Sequence, residues 1–129
     1  MAPTRLARKH PGKTSDPKRG EIYLTALDPA LGSEIRKTRP GVVIQNNTSN
    51  RLTQTTIVAP ITSTVRFPLN PVHVLLSADK DTGLTVPSVA LLSQIRVVDR
   101  QRLIHRIGTV DEATLRRIDT AIKISLDVS

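Results

Sequence analysis

The chain has 129 residues, a formal net charge of +8 and no cysteine. This length suits one domain with one hydrophobic core, and the lack of cysteine excludes disulfides, a thiol nucleophile and a cysteine-ligated metal. With one Phe, one Tyr and no Trp, the core must consist of aliphatic side chains, many of them β-branched, which favours a β-sheet.

The positive charge is concentrated at the N-terminus. Residues 1–19 contain six basic side chains and one acidic side chain, whereas the rest of the chain contains thirteen basic and ten acidic ones. We therefore expect residues 1–18 to be a basic, disordered extension and residues 19–129 to form the domain. Such an extension can add nonspecific attraction to nucleic acid. The sequence shows no secretory signal and no run near the roughly 20 apolar residues of a membrane helix, so we expect a cytoplasmic protein with no membrane partner.

Apolar residues in alternating or continuous runs predict four strands in the first part of the domain. These strands cover residues 21–27, 40–46, 55–62 and 72–76. The connections are rich in polar residues, Gly and Pro, so residues 28–39 are predicted to form a long loop and residues 47–54 a polar turn. Pro60 within the third strand suggests a sheet edge or a bulge.

The remaining sequence predicts further sheet followed by one helix. Residues 88–99 read as one bent strand or two. Apolar residues then recur at intervals of three and four between Leu115 and Leu126, which predicts an amphipathic helix with Thr109 or Asp111 at its N-cap. The expected fold is mainly β, with a curled antiparallel sheet or small barrel covered by the C-terminal helix.

Few residues of this chain offer catalytic chemistry. The sequence has no phosphate-binding glycine loop, its histidines are scattered, and the acidic loop at Asp79 has the wrong spacing for calcium, so we expect no metal or cofactor. Arg39 precedes the second strand and Thr62 ends the third. If these strands pair, the two side chains could stabilise the charge that develops on phosphorus when an RNA 2′-hydroxyl attacks it. Alternatively, Arg39 pairs with Glu34 on the surface and Thr62 simply ends a strand.

Several blocks of the sequence resemble, in order, the MazF/PemK family of toxin endoribonucleases. These blocks are KRGEIYLTALDPALGSE, RPGVVIQN, TIVAPITS and LLSQIRVVDRQRL, and IGTVDEATLRRIDTAIKISL resembles the closing helix of that family. The resemblance covers residues 18–126 and implies a curled sheet or SH3-like small barrel of the MazF/CcdB toxin type, usually a homodimer. It also implies metal-independent, sequence-specific cleavage of single-stranded RNA that leaves a 2′,3′-cyclic phosphate and a 5′-hydroxyl, and neutralisation by a cognate acidic antitoxin.

The same resemblance implies roles for individual residues. Arg39 and Thr62 match the catalytic arginine and threonine of the family, and Glu34 is a candidate base or an orienting group for Arg39. Because an arginine side chain stays protonated near neutrality and is therefore a poor base, we expect Arg39 to act electrostatically and Thr62 to hold the phosphate. The candidate substrate-binding residues are Ser33, Arg36, Lys37 and Gln94.

Two other functions stay open on the sequence alone. A non-catalytic nucleic-acid-binding barrel would use phosphate contacts from Arg39, Arg96, Arg100 and Arg102. A gyrase-poisoning toxin with a similar fold would act on a protein instead of RNA. Phe67, in a predicted loop, either stacks on a base or packs against the body.

Overall fold

A computed structural model describes residues 16–27 and 37–129. These residues form strands β1 (Glu21–Ala26), β2 (Thr38–Val43), β3 (Thr55–Thr62), β4 (His73–Leu76), β5 (Ser88–Leu91), β6 (Arg96–Asp99) and β7 (Leu103–Thr109), and helices α1 (Asn47–Leu52) and α2 (Glu112–Leu126). The 3-10 turns Leu92–Gln94 and Arg100–Arg102 connect β5 to β6 and β6 to β7. The predicted mainly β fold with a C-terminal helix is confirmed.

The strands form one antiparallel sheet in the order β4-β5-β3-β2-β1-β7, and β6 pairs with β3 beside this path. β3 changes partner along its length, because residues 55–58 pair with β6 whereas Ile61 and Thr62 pair with β5. Pro60 lies between these two segments and opposite Gly41 of β2. An interior strand thus accommodates this proline at a change of partner instead of at the sheet edge.

The sheet has two faces, and we call the one covered by α2 the helix face. Ile22, Val42 and Ala59 are paired across β1, β2 and β3 and are fully buried on this face. Ile118 and Ala121 of α2 belong to the same core cluster. Burial of this aliphatic row against α2 therefore forms the main core.

We call the opposite side of the sheet the arginine face. Arg39 lies four positions before Val43 on β2, Arg96 lies opposite Val58, and Arg106 lies opposite Tyr23. Residues that are an even number of positions apart on a strand, or directly opposite each other across a ladder, lie on the same face. This face also holds a second apolar cluster, made of Leu27, Val43, Val58, Val98 and Leu103.

The loop between β4 and β5 crosses to β7, which is the last strand in the sheet order. The N–H of Thr109 donates to the carbonyl of Asp81 at 2.8 Å. A Cβ placed on Gly108 would lie 2.3 Å from the carbonyl oxygens of Asp81 and Thr82. Only a residue without a side chain permits this close approach, so Gly108 allows the loop to lie directly on β7.

The polar-turn prediction for residues 47–54 is wrong, because α1 begins there. The side chain of Asn46 caps this helix by accepting the Ser49 N–H at 2.8 Å. Asn50 is fully buried, and its amide oxygen accepts hydrogen bonds from Gln45 at 2.9 Å and Thr56 at 2.7 Å. A polar side chain thus supplies interior contacts that the pattern of apolar residues does not predict.

β7 is the second element missing from the sequence prediction. Most of its side chains are exposed or half-buried, including His105 and Arg106, so the strand lacks a clear apolar alternation. Of the two candidate N-caps for α2, the structure has Asp111, whose side chain accepts the Thr114 N–H at 2.8 Å. The hydrogen bonds from Thr114 hold the pKa of the Asp111 carboxyl below its usual value.

The chain before β1 contacts the domain. Asp16 Oδ1 lies 3.0 Å from Nη2 of Arg100, a side chain that is only 7% exposed. Pro17 is buried, and the N–H of Lys18 donates to Oε1 of Glu21 at 2.8 Å. The division into an extension at 1–18 and a domain at 19–129 stays a prediction, since residues 1–15 lie outside the described part. The described end of that extension is attached to the body.

Candidate active site

Arg39 lies two residues before Gly41 on β2, and Thr62 lies two residues after Pro60 on β3. Gly41 pairs with Pro60, and the register continues without a shift to the end of β2. If this register is continued by two residues toward the start of β2 and the end of β3, Arg39 lies opposite Thr62 and both side chains are on the arginine face. Directly opposed Cβ atoms in an antiparallel pair lie about 4.5–5.5 Å apart. The extended register therefore predicts that the two candidate catalytic residues start from neighbouring positions on one surface.

β1 extends this row on the other side of Arg39. Thr25 pairs with Arg39 and is fully buried. Its hydroxyl donates to the Tyr23 carbonyl at 2.9 Å. The same oxygen lies 3.3 Å from the place that a Cβ on Gly41 would occupy. Glycine at position 41 thus leaves room for the Thr25 hydroxyl beside Arg39.

Thr62 holds a hydroxyl at the end of β3, where its side chain is half-buried. Oγ1 accepts a hydrogen bond from the Thr64 N–H at 3.2 Å. This contact orients the oxygen without using the hydroxyl's own hydrogen, which can donate to a second partner. A phosphoryl oxygen on the arginine face is a suitable acceptor for it.

A cavity of about 310 Å³ adjoins Arg39 at the same end of the sheet. Its other lining residues are Pro40, Ile61, Ser63, Gly83, Leu84, Thr85, Val86, Ser88 and Ile107. The lining includes both sequence neighbours of Thr62 but not Thr62 itself, which fits the alternation of side chains along β3. Arg39 therefore lies at the boundary between this cavity and the arginine face.

The predicted active-site loop begins and ends beside this row. The N–H of Leu27 donates to the carbonyl of Lys37 at 3.0 Å, which closes the base of the segment between them. Lys37 is exposed and has φ 74, a left-handed conformation that is uncommon for lysine. The predicted site residues Ser33, Glu34 and Arg36 lie outside the described residues.

Gln94 lies in the 3-10 turn that connects β5 to β6 and contacts β3. Since β5 pairs with Thr62 and β6 pairs with Val58, the turn passes the point where β3 changes partner. Gln94 is half-buried there. The turn that carries Gln94 therefore packs against β3, the strand that ends at Thr62.

A polar cluster on the arginine face was not found from the sequence. The Tyr23 hydroxyl donates to Glu21 Oε1 at 3.2 Å, and Arg106 Nε lies 3.0 Å from Glu21 Oε2. Burial, together with the Glu21 charge and hydrogen bond, raises the pKa of Tyr23 to about 12. Glu21, Tyr23 and Thr25 occupy every second position of β1, which indicates that they share a face. Arg106 could not be assigned to that face from the sequence, because β7 was not predicted.

The other arginines considered as phosphate contacts have different environments. Arg96 is half-buried on the arginine face. Arg100 is buried, with Nη1 donating to the Asn50 carbonyl at 3.2 Å and Nη2 paired with Asp16, so it is not accessible to a phosphate. Arg102 Nη1 donates to the Ala26 carbonyl at 3.2 Å. Of the four arginines in that alternative, Arg100 is therefore excluded as a phosphate contact by its burial.

Phe67 does not pack into the body, since its side chain is 72% exposed.

Within residues 16–27 and 37–129, no group of three His, Cys, Asp or Glu side chains could hold a metal ion. The helices in this part of the chain are also too short or too polar to cross a membrane.

A family model described as a PemK-like, MazF-like toxin of type II toxin–antitoxin systems matches residues 18–126. The chain belongs to this toxin family. It is 43% identical over 109 residues to endoribonuclease EndoA of Bacillus subtilis (strain 168), covering 84% of this chain and 93% of that protein. The resemblance recognised in the sequence blocks is thus confirmed.

Solved structures of MazF-type toxins share the fold. MazF from Deinococcus radiodurans superposes with a TM-score of 0.75 at 22% identity, covering 89% of this chain and 100% of that chain. An endoribonuclease from a mycobacterial species, solved in complex with its cognate antitoxin, gives a TM-score of 0.70 at 24% identity and covers 88% of this chain and 97% of that chain. These similarities show that the chain shares the fold of these solved structures over 88–89% of its length.

Proposed function

We propose that this toxin is a metal-independent endoribonuclease that cleaves single-stranded mRNA at specific sequences. The observation that carries the proposal is the pairing of β2 with β3, because its register at Gly41 and Pro60, continued by two residues, predicts that Arg39 and Thr62 are neighbours on one face of the sheet. The family membership and the similarity to an endoribonuclease support the same reaction class.

The reaction is attack by the 2′-hydroxyl of one nucleotide on the phosphorus that follows it. The bond from phosphorus to the 5′-oxygen breaks, so the products are a 2′,3′-cyclic phosphate and a 5′-hydroxyl. The proton of the attacking hydroxyl passes to a base, and the leaving oxygen takes up a proton. The extra negative charge on the phosphoryl oxygens is the feature that the protein must stabilise.

Arg39 suits this task because its guanidinium stays charged and offers a planar fork of donors to two phosphoryl oxygens. The Thr62 hydroxyl donates to the same phosphate from the neighbouring strand. Glu34 takes the role of base or orients Arg39. Ser33, Arg36, Lys37 and Gln94 contact the RNA on either side of the cleaved bond.

The proposal includes the partners and location of the protein. We expect a homodimer in the cytoplasm that a cognate acidic antitoxin neutralises. Solved relatives in complex with an antitoxin support the expected antitoxin partner. A flexible acidic peptide complements the positive charge of the arginine face, which is where the substrate binds.

The test is cleavage of single-stranded RNA by the purified protein with a chelator present. We expect cleavage, and we expect a single 2′-deoxy substitution at the cleaved nucleotide to block it. Cleavage of the deoxy-substituted RNA would exclude attack by the 2′-hydroxyl. RNA binding without cleavage would indicate a non-catalytic nucleic-acid-binding protein, and topoisomerase inhibition would indicate a gyrase toxin.

A further inference from the structure

Arg106 on β7 carries a guanidinium of which the protein uses only one side. Its Nε lies 3.0 Å from Oε2 of Glu21, and the side chain is 50% exposed. Among the residues that the structure describes, no other group accepts a hydrogen bond from it. Both Nη groups therefore offer N–H donors to a ligand from solvent, in the planar arrangement that suits a phosphate.

The Glu21 carboxylate orients this guanidinium. It is only 16% exposed, and its Oε1 accepts hydrogen bonds from the Lys18 N–H at 2.8 Å and from the Tyr23 hydroxyl at 3.2 Å. Because the pKa of Tyr23 is raised to about 12, the phenol remains a donor at neutral pH. With donors on both oxygens, the carboxylate is shielded from a phosphate that approaches Arg106 from solvent.

The strand registers relate Arg106 to the candidate active site. Tyr23 on β1 lies opposite Gly41 on β2 and opposite Arg106 on β7, while Thr25 lies opposite Arg39. Arg106 is therefore two strands and two residues from Arg39 on the same face, or about 12 Å between Cα atoms if the sheet curvature is neglected. A stacked strand advances about 3.4 Å per nucleotide, so RNA bound at Arg39 can reach Arg106 within about four nucleotides.

We infer that Arg106 is a second phosphate-binding residue, which contacts the RNA backbone beside the cleaved site while Glu21 positions its guanidinium. The inference rests on the proposed ribonuclease function and extends its substrate contacts across β1 to β7. A contact between arginine and phosphate fixes the path of the strand but reads no base. Arg106 therefore adds affinity for RNA without changing which sequence is cut.

The test measures binding of the Arg106→Gln variant to single-stranded RNA by fluorescence anisotropy. The RNA contains the mapped cleavage site with one 2′-deoxy nucleotide, so that it is not cut during the measurement. We expect the variant to bind about tenfold more weakly at low salt, as loss of one hydrogen bond to a charged group does. The log–log salt slope should weaken by about 0.7, the contribution of one single-strand phosphate contact. Arg106→Lys should recover only part of the affinity, because it lacks the planar fork.

A series of modified RNAs locates the contact. In each RNA one phosphate is replaced by a neutral methylphosphonate, and the modified linkage is moved along the strand. We expect one linkage within about four nucleotides of the cleaved bond at which the unmodified protein loses affinity and Arg106→Gln loses no more. Glu21→Gln should weaken the same coupling although Arg106 is still present, because the guanidinium is no longer held. A purely structural ion pair predicts no coupling to any one linkage.

Arg116→Gln is the matched control for charge. Arg116 is also an exposed, ion-paired arginine, with Nη1 3.6 Å from Oε1 of Glu112, but it lies on α2, away from the arginine face. Partly exposed ion pairs contribute little to stability, so both variants should melt as the unmodified protein does. We expect the control to bind every RNA normally. An equal loss in both variants, or a loss in Arg106→Gln that is the same at every linkage, would overturn the inference.

Cleavage kinetics separate this inference from the proposed function. We expect Arg106→Gln to raise KM with kcat unchanged. Cleavage with an unchanged KM at low salt would reject the Arg106 contact and leave the enzyme proposal intact. If the unmodified protein cuts no RNA, the ribonuclease proposal fails, and binding of unmodified RNA then decides on Arg106. A loss of affinity in Arg106→Gln alone would support the contact, and equal binding by Arg106→Gln and the control would reject it.

Discussion

Gly41 on β2 pairs with Pro60 on β3, and this pair sets the geometry of the candidate site. Continued by two positions, this register predicts that Arg39 lies opposite Thr62. Gly41 adds no side chain to the surface beside the Thr25 hydroxyl, and Pro60 marks the point where β3 passes from β6 to β5. The site therefore lies where the sheet changes its pairing, at the ends of two central strands.

Replacing Arg39 by Ala should reduce the rate of RNA cleavage by at least about 100-fold, as loss of one donor to a developing negative charge does elsewhere. Arg39→Lys should restore only a small part of the rate, because lysine keeps the charge but lacks the planar fork. Single-turnover cleavage measures the rate. The far-UV circular dichroism and melting temperature should match the unmodified protein. Full activity in a folded Ala variant would remove Arg39 from the mechanism.

Thr62 has a matched pair of substitutions. Thr62→Val removes the hydroxyl but keeps the β-branched shape that suits a strand end, and Thr62→Ser keeps the hydroxyl. We expect the Val variant to lose about 10- to 100-fold in kcat/KM, corresponding to one hydrogen bond to a charged group, and the Ser variant to lose much less. The comparison requires equal melting temperatures. Equal activity of the two variants would show that Thr62 is only structural.

The single tyrosine of the chain allows a direct titration of Tyr23. We expect phenolate absorbance to rise with a midpoint near pH 12 in the folded protein, because burial and Glu21 disfavour the ionised form. A pKa raised in the folded state stabilises the fold fully below about pH 10, the usual tyrosine value, and this contribution disappears as the pH rises to about 12.

Tyr23→Phe should therefore remove part of the loss of stability between pH 10 and pH 12, measured by denaturant unfolding at several pH values. Lysine and other groups titrate in the same range in both proteins, so the difference between the two curves reports Tyr23. A phenolate midpoint near pH 10 would contradict the buried contact with Glu21.

Gly108→Ala should lower the free energy of unfolding by about 1–3 kcal/mol, the usual cost of forcing extra volume into a packed contact. Its Cβ would meet two backbone carbonyl oxygens at 2.3 Å, and these cannot rotate away. Gly41→Ala is the comparison, because there the nearest atom is the Thr25 hydroxyl oxygen at 3.3 Å. Urea unfolding should show the larger loss for Gly108→Ala. The reverse order would mean that the β4–β5 loop moves easily off β7.

The elements with a clear period could be predicted from the sequence. The predicted strand at residues 55–62 coincides with β3, and the stripe from Leu115 to Leu126 lies in α2. α1 could not be predicted in this way, because its stability depends on a capping side chain and on the buried Asn50. β7 was missed since a partly exposed last strand has little apolar alternation.

The residues of the candidate site could likewise be predicted from the sequence only in part. Arg39 and Thr62 could be proposed from the family resemblance, and the pairing of the second predicted strand with the third, which the hypothesis required, is present. The contact of Tyr23 and Glu21 with Arg106 could not be predicted, since it depends on how β1 pairs with β7, and that register shifts twice. Arg100 was considered as a phosphate contact, although it is buried with Asp16 as its partner.

The loop between β4 and β5 has one more consequence, for association between molecules. β4 and β7 are the two outermost strands of the sheet order, and such strands expose backbone groups that can recruit a strand from another molecule. The Thr109 N–H donates to the Asp81 carbonyl, so the loop that follows one outermost strand covers a backbone group of the other. The protein thereby reduces the open backbone that would otherwise favour aggregation.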